Sequence, residues 1–139
     1  MIGRVATAMA LAFLSSPAAA TGVGADAGAK QYAEHCAICH GAAAKGDGPL
    51  AELLIAPPPD LTGLSARNGG TFPEERVYRT IDGRADIRAH GTRAMPAWGS
   101  AFRAKAEEAA DPSTGPVNPE NVVTARILSL VRYLESIQE

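Results

Sequence analysis

The chain has 139 residues and a formal net charge of −2, enough for one small domain and too short for two full cores. Hydrophobic residues make up 46% and charged residues 20%, ordinary globular usage that argues against general disorder. No positive excess is present to neutralise phosphates, which excludes nucleic-acid binding as the main business, and two cysteines exclude a multi-bridge disulfide scaffold.

Residues 1–20 carry one early charge, Arg4, then the apolar run Val5 to Leu14 and a small-residue end at Ala18-Ala19-Ala20. That layout predicts a secretory signal peptide cleaved after Ala20, leaving 21–139 as a single soluble domain. The alternative is an uncleaved N-terminal anchor, although the run is shorter than the ~20 residues of a spanning helix. Residues 25–37 read as an alanine-rich helix with Tyr32 and Cys36 four apart on one face. Residues 41–59 are rich in glycine and proline and leave room for a turn or two at 50–55.

Asp60 is expected to cap a short helix over 61–67, stopped by Asn68-Gly69-Gly70. Thr71 and Glu74 have the spacing of a capping box opening a second helix, with Val77, Tyr78 and Ile81 as its apolar face and Gly83 as its end. Residues 84–99 read as loop, 101–109 as helix-prone and 111–119 as a connector. In the last helix Asn118 is the cap, Pro119 takes the first position, and Val123, Ile127, Leu130, Leu134 and Ile137 repeat at four and three. No alternating strand pattern is visible. The expected fold class is all-α, short helices joined by long loops that must pack on something.

Cys36-Ala37-Ile38-Cys39-His40 supplies that something. Two thiols separated by two residues and followed by histidine suit covalent attachment of a c-type haem. On a helical turn, residues three apart share a face, so both sulfurs can reach neighbouring vinyl groups while the next residue presents its imidazole to iron. A thioredoxin-like motif has the same cysteine spacing but needs a βαβ unit. A zinc site needs two further ligands, for which His35 and His90 are the candidates. Aromatic residues are only 5% of the chain, and a large flat cofactor would replace the missing core bulk.

A second axial ligand is expected from Met95, the one methionine beyond the signal segment. Its thioether favours ferrous iron, and Pro96 fixes the backbone beside it. His90 is the rival ligand, and an ordinary core methionine is the other reading of Met95. His35 is expected to be a solvated helix residue.

With these residues in place, the chain resembles the class I monohaem cytochromes c over about 26–137. The resemblance pairs Gly28 and Tyr32 on the first helix with Leu130 and Tyr133 on the last, and matches the family's Met-Pro-x-aromatic segment with Met95-Pro96-Ala97-Trp98. It matches the family's Gly-Pro with Gly48-Pro49, and so assigns the Pro49 carbonyl as acceptor for the His40 ring proton. It further implies one covalent haem c on Cys36 and Cys39, iron ligated by His40 and Met95, and a pocket lined by Tyr32, Pro59 and Trp98. The segment 105–119 is longer than the family's usual link.

The implied function is single-electron transfer between exported or membrane redox partners in the periplasm, not catalysis. The alternatives are a haem enzyme or small-ligand binder, should Met95 leave iron, and a thiol-redox module without haem. Residues 67–105 are the only net basic stretch beyond the signal segment. They suggest a docking ring drawn from Arg67, Arg76, Arg79, Arg84, Arg88, Arg93 and Arg103 for an acidic partner. Arg84 and Arg93 are also candidates to pair with haem propionates.

Overall fold

The computed structural model describes residues 22–83, 95–110, 113, 115 and 117–139. The expected signal segment, His90, Arg84, Arg88 and Arg93 lie outside the described residues. Among the described residues there are six α-helices and no strand: α1 (Gly22–His35), α2 (Ala37–His40), α3 (Leu64–Arg67), α4 (Glu74–Asp82), α5 (Trp98–Glu108) and α6 (Pro119–Ser136). A 3-10 turn at Ala51–Leu53 lies between α2 and α3.

α6 is the spine. The Asn118 side chain accepts the Glu120 N–H at 3.0 Å, and Pro119 occupies the first turn, where its missing N–H costs nothing. Val123, Ile127, Leu130, Val131 and Leu134 are all buried. Each contributes roughly 1.5–3 kcal/mol of apolar burial. They meet Phe102 of α5 and Val77 and Ile81 of α4 in one core. At the α5–α6 contact the Arg126 guanidinium lies 5.5 Å from the centroid of the Phe102 ring. Arg103 also pairs with Glu120 at 2.6 Å.

α1 packs most extensively against α6. Their crossing depends on Gly28, where an added Cβ would collide with the Ser129 carbonyl and lie 2.8 Å from the Tyr133 Cβ. One turn on, the Tyr32 and Tyr133 rings meet at 5.2 Å between centroids and 45° between planes. The Gln31 amide donates to the Ser129 hydroxyl at 2.6 Å. The expected pairing of Gly28 and Tyr32 with the last helix is therefore present, and the terminal helices form a rigid frame.

Several local expectations are corrected. α4 starts at Glu74 with Pro73 at its cap and no side-chain capping bond, so Thr71 stands outside the helix and forms no capping box. The Thr71 carbonyl instead accepts from the Asn68 side chain at 2.8 Å. The helix expected over 61–67 begins only at Leu64, because Asp60 Oδ1 accepts both the Thr62 N–H and the Thr62 hydroxyl at 2.7 Å and closes a turn. Trp98 and Gly99, read as loop, open α5. Lys105 lies within α5, so part of the long link before α6 is added helix.

Candidate functional site

Cys36 follows α1 without a break in the hydrogen-bonding. Its N–H bonds the Tyr32 carbonyl at 2.8 Å, and the Cys39 and His40 N–H groups return to the Cys36 carbonyl at 3.1 and 2.9 Å. The segment is thus the helical turn that its spacing predicts. Both cysteines are free thiols, half-buried, and burial, then the neighbouring Cys39, pushes the Cys36 thiol up to about 11. A reactive Cys-x-x-Cys thiol has a lowered value, so this environment suits an apolar attachment point better than a thiol-exchange site.

Cys36, His40, Pro59 and Met95 border two adjoining lobes of one cleft. The first, about 250 Å³, is also bounded by Cys39, Ile38, Leu54 and Trp98. The second, about 470 Å³, is bounded by Tyr32, Leu64, Val77, Ile81 and Leu130. Together they reach the ~300–1,000 Å³ of cofactor sites and have the same mostly apolar lining. Two thiols, an imidazole and a thioether facing this space, with few aromatics elsewhere, fit a covalent haem. Among the described residues no group of three or more His, Cys, Asp and Glu is placed to hold a metal ion directly.

The carbonyl beside His40 is not the expected one. His40 Nδ1 lies 3.3 Å from the Pro59 carbonyl oxygen, and Pro49 is exposed. The physical reason lies in the loop. Gly46 N–H returns to the His40 carbonyl at 2.8 Å, and the chain then runs back along the attachment turn, with Gly48 N–H on Cys39 O and Leu50 N–H on Ile38 O. Gly48 is needed there because a Cβ would strike the Cys39 backbone. That path leaves Pro59 to return to the histidine.

Tyr32 has a second task besides lining the cleft. Its hydroxyl donates to the buried Gly41 carbonyl at 2.7 Å, one residue after His40, and burial pushes its own ionisation well above the usual phenol range. A Tyr32→Phe variant leaves that buried carbonyl with only the Ala44 N–H, at 3.1 Å, as its donor. It is expected to lose about 0.5–1.5 kcal/mol in urea unfolding, and an unchanged midpoint would show that Ala44 or water makes up for the hydroxyl.

Met95 is half-buried and packs on the core. The chain beyond it is held at Gly99, where a Cβ would run into the buried Asp82, and at Ala97, which sits against Gly83 in its left-handed conformation at the end of α4. His35 is not solvated: its side chain is 18% exposed, with its ring 5.2 Å from Trp98 and 5.8 Å from Phe102. That contact joins the end of α1 to the start of α5, beside the cleft. Its signal in sequence was absent, because the two segments are distant in the chain.

Of the basic ring, Arg67 and Arg76 border the second lobe. Arg67 also donates to the Asp60 carbonyl. Arg79 pairs with Glu75, and Arg103 with Glu107 and Glu120.

Asp60 offers a titration test of the loop beneath the site. Thr62, through its hydroxyl and its N–H, and then Lys45 and Arg67 hold the Asp60 carboxyl below the usual carboxylate range. A depressed carboxylate stabilises the fold above its unfolded pKa of ~3.9, and that contribution is lost as pH falls through the lower folded value. The stability gap between the parent and Asp60→Asn is therefore expected to be constant above about pH 5 and to close below about pH 4. Denaturant melts across that range check it, and a gap that widens on acidification contradicts it.

An all-helical frame around a Cys-x-x-Cys-His turn and an apolar cleft defines a c-type cytochrome. A family model described as cytochrome c oxidase, cbb3-type, subunit III matches residues 24–111, and the chain belongs to that family. Comparisons with curated proteins and with solved structures gave no significant match. Membership brings haem-based electron transfer, with haem c and its iron as the cofactor, redox proteins as partners and the role of a carrier rather than an enzyme. Among the described residues no helix is long and apolar enough to cross a membrane.

Proposed function

We propose that the chain is a single-haem electron carrier that works outside the cytoplasm once residues 1–20 are removed. Cys36 and Cys39 would form the thioethers, His40 and Met95 would hold the iron, and Pro59, not Pro49, would accept the His40 ring proton. The observation that carries this reading is the convergence of Cys36, His40, Pro59 and Met95 on both lobes of one cleft. When bound, haem c supplies an iron that cycles between ferric and ferrous states.

The chain's own residues do the rest. The Pro59 carbonyl selects the tautomer with the proton on Nδ1, leaving Nε2 as the donor atom. Met95 offers a soft neutral sulfur, which raises the potential relative to a second histidine. Leu64, Val77, Ile81 and Leu130 exclude water from the cleft wall. With His40 and Met95 both holding the iron, no position on it would be left for a substrate, which favours outer-sphere transfer over the enzyme reading.

Spectra of the matured, purified protein test the assignment. A narrow α band in the reduced form and a weak red band in the oxidised form are expected, together with one haem per chain by alkaline pyridine assay. A colourless product overturns it, and rapid carbon monoxide binding by the parent favours the open-site alternative. Arg67 and Arg76 at the cleft support an acidic partner, for which association slows as salt rises. Rates indifferent to ionic strength discard that partner.

A further inference from the structure

We infer that Lys45 and Gln138 form a latch that positions the Pro59 carbonyl, and through it the His40 ring. This rests on the reading of His40 as an axial ligand. Pro57, Pro58 and Pro59 have no N–H, so backbone donation cannot anchor the carbonyl from its upstream side. Gly46 packs closely on the Pro58–Pro59 backbone, and the hydrogen bonds that fix the carbonyl come from the residues downstream of Pro59.

Those downstream residues are held one by one. Leu61 N–H bonds the Ala44 carbonyl at 2.7 Å, and the Leu61 carbonyl accepts from Gln138 Nε2 at 2.9 Å. The Thr62 hydroxyl accepts from Lys45 Nζ at 2.6 Å, and the Thr62 carbonyl accepts the Glu139 N–H at 2.9 Å. Gln138 Oε1 accepts the Ser65 N–H at 2.9 Å. Lys45 Nζ also reaches Glu139 Oε2 at 2.6 Å and Asp60 Oδ2 at 3.7 Å.

Every one of these partners comes from one of two places. Ala44 and Lys45 belong to the loop directly after His40, while Gln138 and Glu139 lie just beyond the end of α6. The first is itself constrained: Ala44 is fully buried at a φ of +60°, a conformation costly for a residue with a Cβ. Thr62 is 4% exposed, so its polar groups cannot exchange these partners for water without cost. α6 in turn packs on α1, which leads into Cys36. The latch therefore closes a ring of contacts from the attachment turn through both terminal helices to the carbonyl facing His40.

An acceptor held firmly on Nδ1 raises ring basicity, whereas a loosened one lowers it. Gln138→Ala and Lys45→Met are the tests, made in the matured protein, with Lys45→Arg as the conservative variant. The readouts are the midpoint potential and the exchange rate of the His40 ring N–H by NMR. In both disruptive variants the midpoint is expected to shift upward and ring-proton exchange to quicken by about tenfold, with Lys45→Arg near the parent. The absorption spectrum should keep its two-ligand form.

Unchanged midpoint and exchange in Gln138→Ala, even with lower stability, overturn the latch and leave a merely structural contact. Failure of the underlying reading looks different. In that case the parent itself shows no iron-shifted His40 ring signals.

Discussion

A Met95→Ala chain is expected to lose the weak red absorption of the oxidised protein, to bind carbon monoxide rapidly, and to show a lower midpoint potential. Alanine offers no donor atom. Beyond residue 20 Met95 is the one methionine in the sequence, so no second thioether is available there to replace it. Iron ligands set haem potentials over a range of ~0.8 V, which makes a large electronic effect the expected result of this substitution. Because Met95 is only half-buried at the cleft, its truncation costs at most about 2 kcal/mol of packing. A spectrum and midpoint matching the parent would remove Met95 as a ligand.

The largest expected effect on stability is at Gly28. A Gly28→Val side chain meets the Ser129 carbonyl and the Tyr133 Cβ, neither of which can move without moving α6. Overpacking costs ~1–3 kcal/mol when side chains can adjust. Here a backbone carbonyl is the obstacle, so a loss of at least ~3 kcal/mol is expected, a large share of a small domain's total. Urea unfolding measures it. A midpoint near the parent's would show that the α1–α6 crossing is less rigid than its contacts imply.

The consequence reaches the site. α1 ends at the attachment turn, and Tyr32, one turn beyond Gly28, bonds Gly41 next to His40. A displaced α1 therefore carries both cysteines and the histidine with it. Poor covalent maturation of Gly28→Val should accompany its lower stability.

The helical Cys-x-x-Cys-His turn and the cap and stripe of α6 were legible in the sequence because each is a short-range pattern, whereas the Gly28–Tyr32 face came from the family resemblance. A three-residue spacing, a helical period and a capping side chain express forces acting within one or two turns. The place of Met95 at the cleft agrees with the reason it was singled out, as the one methionine beyond residue 20.

The choice between Pro49 and Pro59 was not legible. Both are prolines, and only the reversal after Gly46 and the run of the chain along Cys39 bring Pro59 rather than Pro49 beside the His40 ring. The same holds for His35 against Trp98 and Phe102, and for Gln138 and Lys45 beneath the loop.

The amino-acid sequence alone determined that this is an all-helical chain with a Cys-x-x-Cys-His helical turn, since local spacing and composition specify those features. Tertiary structure alone decided which carbonyl faces the histidine and what holds it there. Those contacts join residues tens of positions apart, and their formation depends on burying the helices that bring them together.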